Sequence, residues 1–179
     1  MEVVVRPLTD LSLVRRACEM TMHGQESKVS LKSMYRAEHS PIRCRMFWVE
    51  LRGIPTFVST HLVRHKHGVE HFVQSMRDDL YLKDQEVEVT RDTPVNHGML
   101  INAQALIQIS RKRLCLKSHK KTVAVWSKLR KAIGDHDPDL ASFMAPECVY
   151  RNGLCPELRM CEPGVEKVCA AYRKERPNG

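Results

Sequence analysis

Residues 60–79 read THLVRHKHGVEHFVQSMRDD, from Thr60 to Asp79, and they hold the densest chemistry of the chain. His61, His65, His67 and His71 fall within eleven residues, with Arg64 and Lys66 between them and Arg77 just beyond. Pro55 suits the first turn of a helix that would run through about Lys66, and Gly68 marks a break after it. On that helix His61, Arg64 and His65 share a face, being three and four positions apart. A cationic face beside a loop suits a phosphate or pyrophosphate, because Arg offers a planar fork and Lys a point charge. Two other readings stay open. One is a solvated basic face. The other is a metal site, since His61-x3-His65 and His67-x3-His71 have helical ligand spacing and Glu70 could add a carboxylate.

The flanking chain mixes strand and helix signals. Val3 to Val5 is a β-branched run and reads as a strand. Thr9 or Asp10 can cap a helix through about Met20, ended by Gly24. Ser30 to Ala37 suggests a second helix, broken by Ser40-Pro41. Arg43 to Leu51 (RCRMFWVEL) reads as a strand closed by Gly53, and Glu86 to Thr90 as another. Ile101 to Leu116 lacks Gly and Pro and reads as a long buried helix. Thr122 to Ile133 is a further helix, followed by a turn over residues 134–138. Pro146 to Pro163 is a Pro-, Gly- and Cys-bearing tail, and Arg173 to Gly179 should fray. The class is therefore α/β or α+β, a small sheet flanked by helices. One domain spans 1–179, with residues 140–179 as the Cys-bearing tail.

Composition narrows the classes of function. The chain has 179 residues, 42% apolar and 28% charged, the balance of a globular protein rather than a disordered or fibrous one. No apolar run approaches the ~20 residues of a membrane span. No leader is evident at the start, and seven Cys is an odd number for a disulfide framework. A reducing cytoplasm is the expected compartment. The net charge of +8 points to anionic partners without choosing among them.

Four stretches together carry a family resemblance. Gly53-Ile54, Thr60 to Lys66 and Gln74-Ser75-Met76-Arg77 resemble the R-H-R, spacer, S-x-R signature of flavin-dependent thymidylate synthases. Glu38-His39-Ser40-Pro41 resembles that family's His, Ser/Thr, Pro element. Asn102-Ala103 followed by Arg113-Leu114-Cys115 resembles its N-A … L-R segment. The tail from Pro146 to Cys161 resembles the Cys-bearing end of some members.

The resemblance implies a fold, a reaction and a set of roles. Arg64, His65 and Lys66 would contact flavin adenine dinucleotide (FAD), as would Ser40, Asn102 and Gln108. Ser75 and Arg77 would hold the phosphate of deoxyuridylate (dUMP), with Gln74 beside them and His61, Leu62 and Val63 lining the pocket. Arg91 is the candidate for an additional phosphate contact. Arg113 would grip the uracil ring and act catalytically. The reaction would be reductive methylation of dUMP to dTMP, with NADPH and methylenetetrahydrofolate as co-substrates and an obligate oligomer, a homotetramer, as the working form. Helix geometry is compatible with two of these roles, because eleven residues at 100° bring Arg113 within about 20° of Asn102. Equally, Asn102 could simply cap the helix.

The chain also departs from the pattern. Lys66 stands for the second Arg, the spacer from Arg64 to Ser75 is one residue longer, and Gln104 and Gln108 stand where Arg and Asn are common. Only 24 residues lie between Arg77 and Asn102. A related enzyme that hydroxymethylates a pyrimidine nucleotide is therefore an alternative. So is a basic nucleic-acid-binding module, which Arg111-Lys112-Arg113 and Lys117 to Lys121 would suit. Cys115, Cys148, Cys155 and Cys161 form a candidate zinc set, although their spacing is looser than usual. Reduced structural cysteines are the competing reading.

Overall fold

The computed structural model describes residues 1–77 and 89–174. Four strands form one antiparallel sheet in the order β1-β2-β4-β3: β1 Glu2–Pro7, β2 Met46–Pro55, β3 Val69–Val73 and β4 Pro94–Asn102. The helices are α1 Leu11–Thr21, α2 Leu31–Arg36, α3 Thr56–Leu62, α4 Ala103–Arg113, α5 Lys120–Gly134, α6 Pro138–Phe143, α7 Glu147–Tyr150 and α8 Val165–Lys174, with a 3-10 turn over Ser40–Cys44. A mixed architecture with a small sheet and surrounding helices is what the sequence leads one to expect. No helix among the described residues is long and apolar enough to cross a membrane.

Alternation explains the sheet. Val5, Phe47, Val49, Leu51, Val95, Met99, Ile101 and Val69 point to one face and are buried. Trp48, Glu50, Gly98 and Phe72 occupy the other face, where Phe72 is exposed. The buried face meets Val58 and Leu62 of α3, Leu106 and Ile109 of α4, and Val125, Trp126, Leu129 and Ile133 of α5 in one core. Trp126 donates to Ser110 at 2.8 Å, which satisfies the indole N–H within that core.

Several expected boundaries move. The strand expected over 43–51 begins at Met46 and continues to Pro55. Gly53 does not close it. Its φ of +65° lets the strand bulge between Leu51 and Ile54, and its N–H donates to Asn96 Oδ1. The helix expected through Lys66 stops at Leu62. Its final carbonyls are met from outside the helix, Leu62 O by the His65 N–H and His61 O by Arg113. The helix expected from Ile101 starts at Ala103, because Ile101 and Asn102 complete β4. Strands β3 and β4 escape the sequence reading, since His71, His97 and Gly98 interrupt their apolar alternation. Of the expected strand 86–90, residues 86–88 lie outside the described residues, and Val89 and Thr90 are not in a strand. Arg173 and Lys174, expected to fray, close α8, and 175–179 lie outside the described residues.

One buried ionic network ties distant segments together. Asp137 and Arg45 are each 5% exposed. Asp137 Oδ2 accepts from Tyr35 at 2.8 Å and from Arg45 at 3.4 Å, while Oδ1 caps α6 through the Leu140 N–H. Arg45 also donates to the Thr9 carbonyl and stacks over Phe47. Burial and the Asp137 carboxylate both push the Tyr35 hydroxyl up. The 134–138 stretch is thus more than a turn.

Candidate functional site

The loop after α3 carries Arg64, His65 and Lys66, and the last turn of α4 reaches it. Arg113 donates from Nε to His65 Nε2 at 2.9 Å and from Nη2 to the His61 carbonyl. Because a guanidinium can only donate, His65 Nε2 must accept, so the neutral ring carries its proton on Nδ1. Burial, then the Arg113 charge, then His71 lower the His65 pKa to about 4. Burial and Arg64 lower that of Arg113. Among the described residues no carboxylate pairs with Arg113. Two of the five N–H donors of this guanidinium are engaged, which leaves three to meet a carbonyl or anionic oxygen.

Further cations gather around His61. Burial comes first among the causes that hold its ring below the usual histidine range, followed by Arg113, Arg64, His119 and Arg91. His61 Nδ1 lies 3.0 Å from Thr122 Oγ1 at the start of α5. Phe57 is the hub of the neighbouring patch. His119 packs on its ring edge-to-face at 4.6 Å and the Arg91 guanidinium lies 4.8 Å from its centroid. Lys121 pairs with Asp92 at 2.6 Å, so this carboxylate is engaged with an ammonium. The field here favours an anionic ligand.

The loop is shaped by a glycine and an amide. Gly68 has φ +72°, and a Cβ there would lie 2.7–3.0 Å from the Asn102 side chain. The Asn102 N–H donates to Gly68 O, and its Oδ1 caps α4 by accepting from the Ala105 N–H at 2.9 Å. Asn102 is therefore the α4 cap, adjacent to the loop.

The other candidates divide. His61, Arg64, His65, Arg91 and Arg113 come together, with exposed Lys66 on the same loop. They do so on a loop and a helix end rather than on one continuous helical face. Leu62, expected to line the pocket, has its side chain in the core, and Val63 is half-buried. Gln74 extends the β3–β4 pairing, exchanging hydrogen bonds with the Asn96 backbone. Ser75 and Arg77 follow β3, whose five residues separate them from Lys66 by roughly 16 Å.

Ser40 is exposed at the start of the 3-10 turn. The neighbouring Glu38 holds Gln104 and Arg111, and Arg111 stacks 3.6 Å from the centre of the Tyr150 ring. Arg111 and Arg113 are two residues apart, about 200° around the helix. Gln108, exposed and near the Arg111 side, thus faces away from Arg113.

The zinc reading of the tail finds no geometry. Cys115, Cys148, Cys155 and Cys161 line one small apolar pocket with Val165 and Val168. Burial raises the Cys115 thiol and lifts Cys148 to about 11, and the neighbouring cysteines add to both shifts. Among the described residues no three His, Cys, Asp or Glu side chains are grouped to hold a metal.

Sequence reasoning missed His97, Ser59, Thr122 and Phe57. For His97 a signal existed, because Val95, His97, Met99 and Ile101 alternate and so place it on the core face.

No family model and no curated protein matches the chain. Solved structures do. A thymidylate synthase X (ThyX) from Helicobacter pylori, with FAD and dUMP, matches at TM-score 0.65 and 16% identity over 80% of this chain and 99% of that one. A second structure of that flavin-dependent enzyme, also with FAD and dUMP, gives TM-score 0.66 and 16% identity over 78% and 98%. A UMP/dUMP methylase, PolB from Streptomyces cacaoi, bound with 5-Br dUMP, gives 0.58 and 13% over 79% and 94%. The chain has the fold of the flavin-dependent thymidylate synthases.

Proposed function

We propose that the chain is a flavin-dependent enzyme that methylates dUMP to dTMP in the cytoplasm, with FAD as cofactor and NADPH and methylenetetrahydrofolate as co-substrates. The observation that carries this reading is the meeting of Arg113 with His65 in a cationic site, on a fold shared with structures holding FAD and dUMP. The residues fit such a cofactor. Arg64 and Lys66 offer positive charge to a diphosphate, and Gly68 lets the backbone pass close to Asn102.

FAD, when bound, would supply the redox chemistry. The chain's own residues supply orientation and charge. Arg64 and Lys66 bind the anionic end of the cofactor. The remaining donors of Arg113 hold a uracil carbonyl and stabilise the negative charge that develops on the activated ring. Its near-permanent charge suits that role better than an ammonium. His65, kept neutral, is held in one tautomer beside it. Ser75 and Arg77 bind the nucleotide phosphate. Because they stand at the far end of β3 from Arg64, a second copy of the chain would bring them to this site, in keeping with a homotetramer. Each chain would act as a single domain.

The test is direct. The purified protein should take up FAD and turn yellow, and its oxidation of NADPH should be stimulated by dUMP. UMP should be run in parallel, because the PolB structures were solved with ligands of both sugar types. A colourless protein that takes up no FAD and binds duplex DNA with steep salt dependence would overturn the reading in favour of a nucleic-acid module.

A further inference from the structure

Three elements contribute to a line of hydrogen bonds beneath the loop. Ser59 on α3 lies 2.9 Å from His97 Nδ1 on β4. His97 Nε2 lies 2.9 Å from His71 Nδ1 on β3. His71 Nε2 lies 2.7 Å from the carbonyl of His65. His97 is 1% exposed and Ser59 3% exposed, so water does not compete at that end.

The directions of these bonds follow from one fixed end. A carbonyl only accepts, so His71 Nε2 carries a proton. In the neutral ring Nδ1 then accepts, so His97 must donate from Nε2. His97 Nδ1 is left to accept the Ser59 hydroxyl proton. All donors thus point the same way, from Ser59 through His97 and His71 to His65 O. The line ends on the residue whose imidazole Arg113 engages from the other side. The His65 backbone and ring are therefore gripped separately, one by the sheet and one by α4.

We infer that His97 and His71 are positioning residues that hold the Arg64–Lys66 loop in its ligand-binding shape by fixing the His65 carbonyl. The inference deepens the proposed function and rests on it for the identity of the ligand, but the ordering of the loop is a property of the free protein. Placing a buried His97 and a half-buried His71 on the core face of a sheet is costly when Val or Leu would fill the space. Paired end to end and anchored on a carbonyl, they keep every ring nitrogen satisfied.

The test begins without ligand. Long-range 1H–15N NMR should show His71 and His97 protonated at Nε2 and His65 at Nδ1. Other tautomers, or averaging between them, overturn the inference. His71→Ala should then speed amide hydrogen exchange at residues 63–68 while leaving α5 unchanged, and His71→Gln, whose amide can still donate to the carbonyl, should restore protection. An equal rise across the fold, or none in the loop, refutes it. With FAD added, His71→Ala should weaken binding about tenfold, the worth of one ordered hydrogen bond, and His71→Gln should recover most of it. If the wild-type protein binds no FAD, the proposed function fails, and the tautomer and exchange results still decide this inference.

Discussion

Mild acid should destabilise this fold, and His97 should be the main histidine responsible. Burial, then the neighbouring His71, lower its pKa to about 4, against about 6.5 in an unfolded chain. Between those values the unfolded chain binds a proton that the folded one refuses. The stability contribution is complete above the unfolded pKa and is lost as the pH falls toward the folded one. The full difference is about 3 kcal/mol, of which about 2 kcal/mol is lost between pH 7 and pH 5. His65 acts with the same sign but is only half-buried, so its share is smaller. Urea unfolding at fixed temperature, followed by circular dichroism from pH 7 to 5, reads this directly. With a slope of about 2 kcal/mol per molar, the midpoint should fall by roughly 1 M. His97→Gln removes the titration, so its midpoint should change much less over the same range. Parallel pH dependence in wild type and variant would show that the His97 ring is not held neutral, and the reasoning would be wrong.

Other outcomes follow from the same geometry. Arg113→Ala should lower dTMP formation by about 100-fold or more while FAD is still taken up, and near-normal turnover would refute its role. Asp137→Ala should cost about 3–5 kcal/mol in urea unfolding, because it strands the buried Arg45 guanidinium, whereas Tyr35→Phe should cost only about 1 kcal/mol. A loss below 1 kcal/mol for Asp137→Ala would mean that Arg45 finds another partner. Gly68→Ala should cost about 1–3 kcal/mol from its positive φ and its collision with Asn102, and should loosen the loop as seen by hydrogen exchange.

The readable parts of the chain are those where local chemistry and tertiary context agree. Val3 to Val5 form β1, and Asp10 and Ser30 cap α1 and α2 through their side chains. Trp126, Leu129 and Ile133 turn the apolar side of α5 inward. The less readable parts are those where polar residues serve the core. His71 and His97 look like loop or ligand residues, yet they occupy strand positions because their partners are one another, Ser59 and a carbonyl. Asp137 reads as a turn residue, and nothing near it in sequence announces Arg45, 92 positions away. The candidate site shows the same division. Arg64, His65 and Arg113 were marked by motif, and the structure sets them side by side. Ser75 and Arg77 were marked by the same motif, but a strand intervenes.

Asn102 is at once the last residue of β4 and the cap of α4, so no linker separates sheet from helix. The sheet therefore serves as the zero mark from which every angle along α4 is counted. One residue inserted between Asn102 and Arg113 would rotate everything downstream by about 100° and advance it by about 1.5 Å. Arg113 would swing away from His65 and a different side chain would arrive in its place. Surface loops can lengthen at little cost, but this eleven-step interval behaves as a ruler and tolerates substitution far better than a change of length.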